Sequence, residues 1–142
     1  MDARLFLIPI IALLINQVIK MVIEAFKGNF TWFKLFDYGG MPSSHSALVT
    51  SLTIVMGYYY GLSHPAFAIS LIFSLIIIKD ASGIRLQLGE QGKIINQLIK
   101  ELPDKKEYKY PVMPERLGHS NAQVIVGILV SALITSLLIF IW

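Results

Sequence analysis

The chain has 142 residues, 55% hydrophobic and 15% charged, with a formal net charge of +3 and no cysteine, and its mean hydropathy is +0.65. Soluble domains carry about 25% charged residues, so a water-soluble globule is excluded as the reading, and the absence of cysteine excludes disulfides and thiolate metal sites. What fits is an all-α integral membrane bundle, one membrane-embedded domain over residues 1–142, with about four transmembrane helices.

In chain order, the first apolar run covers residues 5–23 and carries Asn16, Gln17 and Lys20 near its end. It is long for the core of a signal peptide, and no small-x-small cleavage site follows it, so it reads as a retained span. The second run, 47–62, is opened by Pro42-Ser43-Ser44-His45-Ser46, and the third covers 65–78. Only Gly61-Leu62-Ser63-His64-Pro65 separates these two, which predicts a tight helical hairpin. The fourth run, 122–142, contains no charge. A helix needs about 20 residues to cross a bilayer, and in lipid a single segment satisfies its backbone only as a helix. Between the third and fourth runs lies a long charged stretch, 79–121. Within 91–102, Ile94, Ile95, Leu98, Ile99 and Leu102 fall at helical spacing, with Lys93, Asn96, Gln97 and Lys100 on the other face. That pattern predicts an amphipathic helix lying on the membrane surface or against the bundle. Residues 103–114, rich in Lys, Tyr and Pro, read as loop.

Polar residues at membrane depth are costly and generally functional, and here they gather toward one side. Gln17 and Lys20 are three apart on one helical face, although Lys20 could also snorkel to the interface. Gly39-Gly40-Met41-Pro42-Ser43-Ser44-His45-Ser46 supplies a turn, a helix start and a cap at Ser43 or Ser44. Its open N–H groups, hydroxyls and imidazole make an anion site. Asp80 and Arg85 follow the third run and could form an ion pair, and Leu117-Gly118-His119 precedes the fourth. His64 lies in the turn on the opposite side and is given no role. Together, Lys20, the Ser43–Ser46 turn, Arg85, His45 and His119 can hold a phosphate and divide the work of nucleophile and general acid. No cluster suggests a metal or cofactor, and nothing points to nucleic acid.

At these residues the sequence resembles the phosphatidic acid phosphatase type 2 and vanadium haloperoxidase superfamily, and within it the divergent branch of small bacterial and plastid membrane proteins. The resemblance is carried by Gln17-Val18-Ile19-Lys20, the Gly39–Ser46 element, Asp80-Ala81-Ser82-Gly83-Ile84-Arg85 with Gly89, Gln91 and Asn96, and Leu117-Gly118-His119. It covers nearly the whole chain. It implies that Lys20, Arg85, Ser43, Ser44 and backbone N–H groups bind the phosphate, with Gln17 and Asp80 beside them. It also implies that His45 protonates the leaving oxygen and that His119 becomes a phosphohistidine. Ser44 stands where the wider superfamily has glycine, and a long insertion separates Arg85 from His119, both as in the divergent branch. Four residues after His119 the resemblance leads one to expect an acidic residue, and the chain has Gln123.

The function expected is a metal-independent membrane phosphatase acting on a phosphomonoester, or a diphosphate, of a lipid. Phosphatidylglycerophosphate, phosphatidic acid and polyprenyl phosphates are all compatible substrates. Gln123 predicts slow turnover and supports a rival, a non-catalytic lipid-phosphate binder; a membrane adaptor whose long loop docks a partner is a third reading. A haloperoxidase using bound vanadate fits poorly with a lipid-embedded site.

Charge orients the bundle. With four spans, one side holds Arg4 alone. The other receives Lys20, Lys27, Lys34, Lys79, Arg85, Lys93, Lys100, Lys105, Lys106, Lys109 and Arg116, which is 11 of the 12 basic residues. The positive-inside rule places that side in the cytoplasm and both termini outside, and the resemblance implies a bacterial plasma membrane. Cysteines introduced at Lys106 and Ser63 test this with a membrane-impermeant thiol reagent on intact cells. Ser63→Cys should label and Lys106→Cys should not; the opposite pattern reverses the orientation.

Overall fold

The computed structural model describes residues 3–26, 28, 40–103, 110–115 and 117–142. Lys27, Lys34, Gly39, Lys105, Lys106, Lys109 and Arg116, named above, lie outside the described residues. The regular structure is helical: α1 Arg4–Phe26, α2 Ser44–Tyr60, α3 Pro65–Ser82, α4 Ile84–Glu101 and α5 Asn121–Ile141. Three stretches are long and apolar enough to cross a membrane: Arg4–Phe26, Pro65–Glu101, which begins with α3, and Asn121–Ile141. With 17 residues α2 is the shortest helix. It rises about 25 Å against a hydrocarbon core of about 30 Å, and it is enclosed by α1, α3 and α5. The four apolar runs and the amphipathic helix thus form a small membrane helical bundle.

The packing is that of a protein in lipid. On α1 the buried stripe is Ile8, Ala12, Asn16 and Lys20, while Phe6, Ile10, Leu14, Val18 and Val22 face outward. On α5 the buried residues are Val124, Gly127, Ser131 and Thr135, with Ile125, Leu129, Leu133 and Leu137 outside. Large aliphatic side chains meet the surroundings, and small or hydroxylated ones meet each other. This follows where the solvent is as apolar as leucine and only close approach and hydrogen bonding hold helices together. The hydroxyls are used accordingly. Ser131 Oγ donates to the Ala47 carbonyl at 2.6 Å, and Thr135 Oγ1 to Ser51 Oγ at 2.7 Å. Ser74 Oγ donates to the Val49 carbonyl at 2.9 Å, tying α3 to α2.

The hairpin turn is as expected, and His64 acquires a task in it: its Nδ1 accepts the Ala66 N–H at 3.1 Å, capping α3. At this end of the bundle the Arg4 guanidinium lies over the Tyr59 ring and donates to the Trp142 carbonyl. The start of α1 and the ends of α2 and α5 therefore share one side, as four spans require.

The amphipathic helix departs from the sequence reading. It begins at Ile84 rather than at 91, directly after Gly83. Its packed face is Gly89, Gly92 and Asn96, while Ile94, Ile95, Leu98 and Leu102 are exposed. The two glycines give a surface flat enough for Pro114, Glu115 and Leu117 to lay their backbone against. Asn96 then acts as a backbone surrogate: Met113 N–H donates to Oδ1, and Nδ2 donates to the Met113 carbonyl and to Glu115 Oε1, all at 2.8 Å. The apolar stripe consequently faces away from the bundle, and the membrane-surface alternative is the one the packing accommodates. Asn96→Ala strips partners from the Met113 backbone and should cost about 1–3 kcal/mol. The thermal midpoint in detergent should fall; an unchanged midpoint would mean that the clamp adds nothing.

Candidate functional site

The site lies at the opposite end of the bundle from Arg4, where α1 and α3 end and α2 and α5 begin. Ser43 is the N-cap of α2, in extended conformation, and is fully buried. Its Oγ accepts from Ser46 N–H at 3.3 Å and from Ser46 Oγ at 3.0 Å. The Ser43 hydroxyl is thus turned inward and spent on capping. The first-turn donors left open are the N–H groups of Ser44 and His45, since Ala47 N–H already reaches the Ser43 carbonyl. The whole N-terminus is seated on α5: Ser43 N–H donates to the Gln123 carbonyl at 3.1 Å. A Cβ at Gly127 would come within 2.6 Å of the Ser43 carbonyl oxygen.

The last turn of α3 brings Asp80 and the first turn of α4 brings Arg85, whose Nε donates to Asp80 Oδ2. Asp80 thus holds the guanidinium. The segment leading into α5 docks on the same corner. His119 N–H donates to the Ala81 carbonyl at 2.8 Å, and Gly118, at φ +80°, lies against the Arg85–Leu86 backbone. The insertion between Arg85 and His119 therefore leaves and returns to one place.

His45 and His119 face one another with ring centroids 5.9 Å apart and planes tilted by 59°. The charges of Arg85, Asp80 and Lys20 all act on the His45 ring, and those of Lys20 and His45 act on His119. Lys20 does not snorkel outward: it is 6% exposed. Its ε-carbon lies 2.9 Å from where a Cβ of Gly40 would stand. With φ +88° as well, Gly40 meets two demands that a side chain would fail. Burial lowers the pKa of His119, opposed by hydrogen bonding to Gln123 and the Gly40 backbone, so the ring is neutral at physiological pH.

Gln123 belongs to a capping box. Its N–H donates to Ser120 Oγ at 3.4 Å, and its Oε1 accepts Ser120 N–H at 3.1 Å. A backbone N–H can only donate, so the amide oxygen is fixed on that side. The same oxygen lies 3.4 Å from His119 Nδ1. That contact offers an acceptor to a proton on Nδ1, and the Gly40 backbone gives the ring a further hydrogen-bond partner.

The structure brings together Lys20, His45, Asp80, Arg85, His119 and Gln123, with Ser43 and Ser44 at the helix start. Gln17 is half-buried beside this group, and its Oε1 has no hydrogen-bond partner. Among the described residues, no three His, Asp or Glu side chains gather as a metal site would require. Sequence reasoning passed over Ser120, whose spacing to Gln123 is the capping-box signature. It named Asn16 in the first run but gave it no role.

These features define a helical integral membrane protein that gathers cationic, imidazole and hydroxyl side chains at one end of its bundle. The chain belongs to the divergent PAP2 family, whose model matches residues 1–134. It is 36% identical over 141 aligned residues to the uncharacterized membrane protein YuiD of Bacillus subtilis (strain 168), covering 91% of this chain and 89% of that protein. No solved structure matches.

The Gln123 contact has a spectroscopic consequence. Gln123→Glu places a carboxylate beside His119 and should move its titration to higher pH, because an adjacent negative charge favours the imidazolium. Gln123→Leu removes an acceptor and should move it lower. Imidazole NMR of histidine-labelled protein in detergent reads both; a titration that stays put in each variant would mean that Gln123 does not engage the ring.

Proposed function

We propose that this protein is a membrane phosphatase that hydrolyses a phosphomonoester, or a diphosphate, of a lipid through a phosphohistidine. The observation that carries the reading is the pair of imidazoles 5.9 Å apart, a gap suited to one phosphoryl group, with Lys20 and Arg85 acting on the same space. Membership of a divergent PAP2 family supports the same chemistry.

In this reading Lys20, Arg85 and the open N–H groups of Ser44 and His45 hold the phosphate oxygens and stabilise the charge on them. Ser44 adds its hydroxyl, and Ser43 fixes the turn. His119 Nε2 attacks phosphorus as the ester P–O bond breaks, and His45 gives its proton to the departing lipid oxygen. Water then attacks the phosphohistidine, His45 takes back a proton, and inorganic phosphate leaves. Gln123 keeps the His119 proton on Nδ1 but brings no negative charge to the imidazolium-like intermediate. That one feature also favours a second reading, a protein that binds lipid phosphates without rapid turnover.

Phosphate release by purified protein from phosphatidic acid, phosphatidylglycerophosphate and a polyprenyl phosphate tests both. His119→Ala should abolish release, and His45→Ala should reduce it by about 10²-fold or more. Arg85→Lys should lose at least about tenfold, because a point charge does not replace the planar fork. Gln123→Glu should raise kcat with little change in affinity. Because His119 must be neutral and His45 protonated, the pH–rate profile should be bell-shaped, its acid limb set by a His119 pKa lying below the ordinary imidazole value. Release that survives His119→Ala would remove the phosphohistidine, and binding without release would favour the second reading.

A further inference from the structure

Asn16 is fully buried, yet neither its Nδ2 nor its Oδ1 has a hydrogen-bond partner. The surrounding hydroxyls set the contrast: Ser46, Ser51, Ser74, Ser131 and Thr135 are buried and each is paired. Among the described residues the unpaired buried side-chain atoms are these two, Gln17 Oε1 and His45 Nδ1. A buried amide left with neither donor nor acceptor satisfied is destabilising, and leucine has the same branched shape without that cost. In a membrane helix such a residue marks a functional position.

Its place indicates what it meets. α1 runs from the Arg4 end toward the site, and Asn16 and Lys20 share its buried face. Asn16 lies one helical turn, about 6 Å, deeper into the bundle than Lys20. A lipid whose phosphate lies at Lys20 and the two histidines extends in that direction toward its tails. We propose that Asn16, with Gln17 beside it, recognises the ester-linked glycerol backbone of a phosphoglyceride. The inference rests on the lipid-phosphate reading of the site. Nδ2 donates to an ester carbonyl a few bonds from the phosphate, and the two amide oxygens take a headgroup hydroxyl or its bound water. A polyprenyl phosphate joins its phosphate directly to hydrocarbon and leaves Asn16 unsatisfied. A site built to hydrogen-bond discriminates strongly against an analogue that lacks the partner.

The test is competition in mixed micelles: unlabelled phosphatidic acid and a polyprenyl monophosphate, at equal micellar mole fraction, displace a phosphatidic acid with a fluorescent tail. Phosphatidic acid should compete at least about tenfold better against the parent protein. Asn16→Leu should erase that preference by weakening phosphatidic acid alone, with thermal stability equal or higher; Asn16→Ala should behave the same way toward the two lipids. Equal competition against the parent, or equal weakening of both lipids by Asn16→Leu, overturns the proposal. So does an unchanged preference in a stable Asn16→Leu protein, which would make the amide an uncompensated structural cost. Phosphate release from the same samples separates the two readings. Preference without turnover removes the phosphatase and keeps the glycerol contact; turnover without preference does the reverse. A labelled lipid that does not bind overturns both.

Discussion

The seating of α2 on α5 is the contact on which the site depends. Ser43 donates its N–H to the Gln123 carbonyl, and its own carbonyl rests where any side chain at position 127 would stand. That contact brings the start of α2 onto the first turn of α5. It thereby sets His45 relative to His119, which is itself pinned to the end of α3 through Ala81. Three chain segments distant in sequence are fixed by main-chain groups and glycines. The side chains of the site can therefore stay few and short, apart from the two cations that reach in from α1 and from the start of α4.

Much of this was legible in the sequence. Apolar run lengths set the helix count, and the glycine–proline–serine–histidine element sits where a helix N-terminus was expected. The face of α4 was not legible. Helical spacing shows which residues are apolar, but in water that stripe turns inward and at a membrane it turns outward; the pattern is the same. The packed face of α4 is instead marked by Gly89, Gly92 and Asn96, which carry little hydrophobic signal. Ser43 and Ser44 were equivalent as caps until the backbone showed which is extended. Asn16 and Gln17 differ by one position and a rotation of about 100°, which decides that one is fully enclosed and the other half so.

Gln123 shows how one residue can carry two demands. As the third residue of a capping box it must accept the Ser120 N–H, a role glutamine and glutamate both fill. As the neighbour of His119 it must present an acceptor to Nδ1, which both again supply. The two residues differ only in the charge offered to a protonated or phosphorylated ring. The fold is therefore indifferent to the choice between glutamine and glutamate here, while the electrostatics of a charged His119 ring are not.

The buried interior of the bundle is rich in Ser, Thr, Ala and Gly, with Ile8, Val49, Val55, Val124, Asn16 and Lys20 among them. In the lipid-phosphate reading, a ligand that comes from the bilayer keeps its tails there and lends the site its polar end. Encounter is then a collision in two dimensions. The quantity that governs occupancy is the mole fraction of the lipid in its leaflet, not its amount per volume of cell or assay. Diluting the ligand lipid with inert lipid should empty the site even when the total lipid in the tube is unchanged. Adding buffer to the same vesicles should leave occupancy as it was.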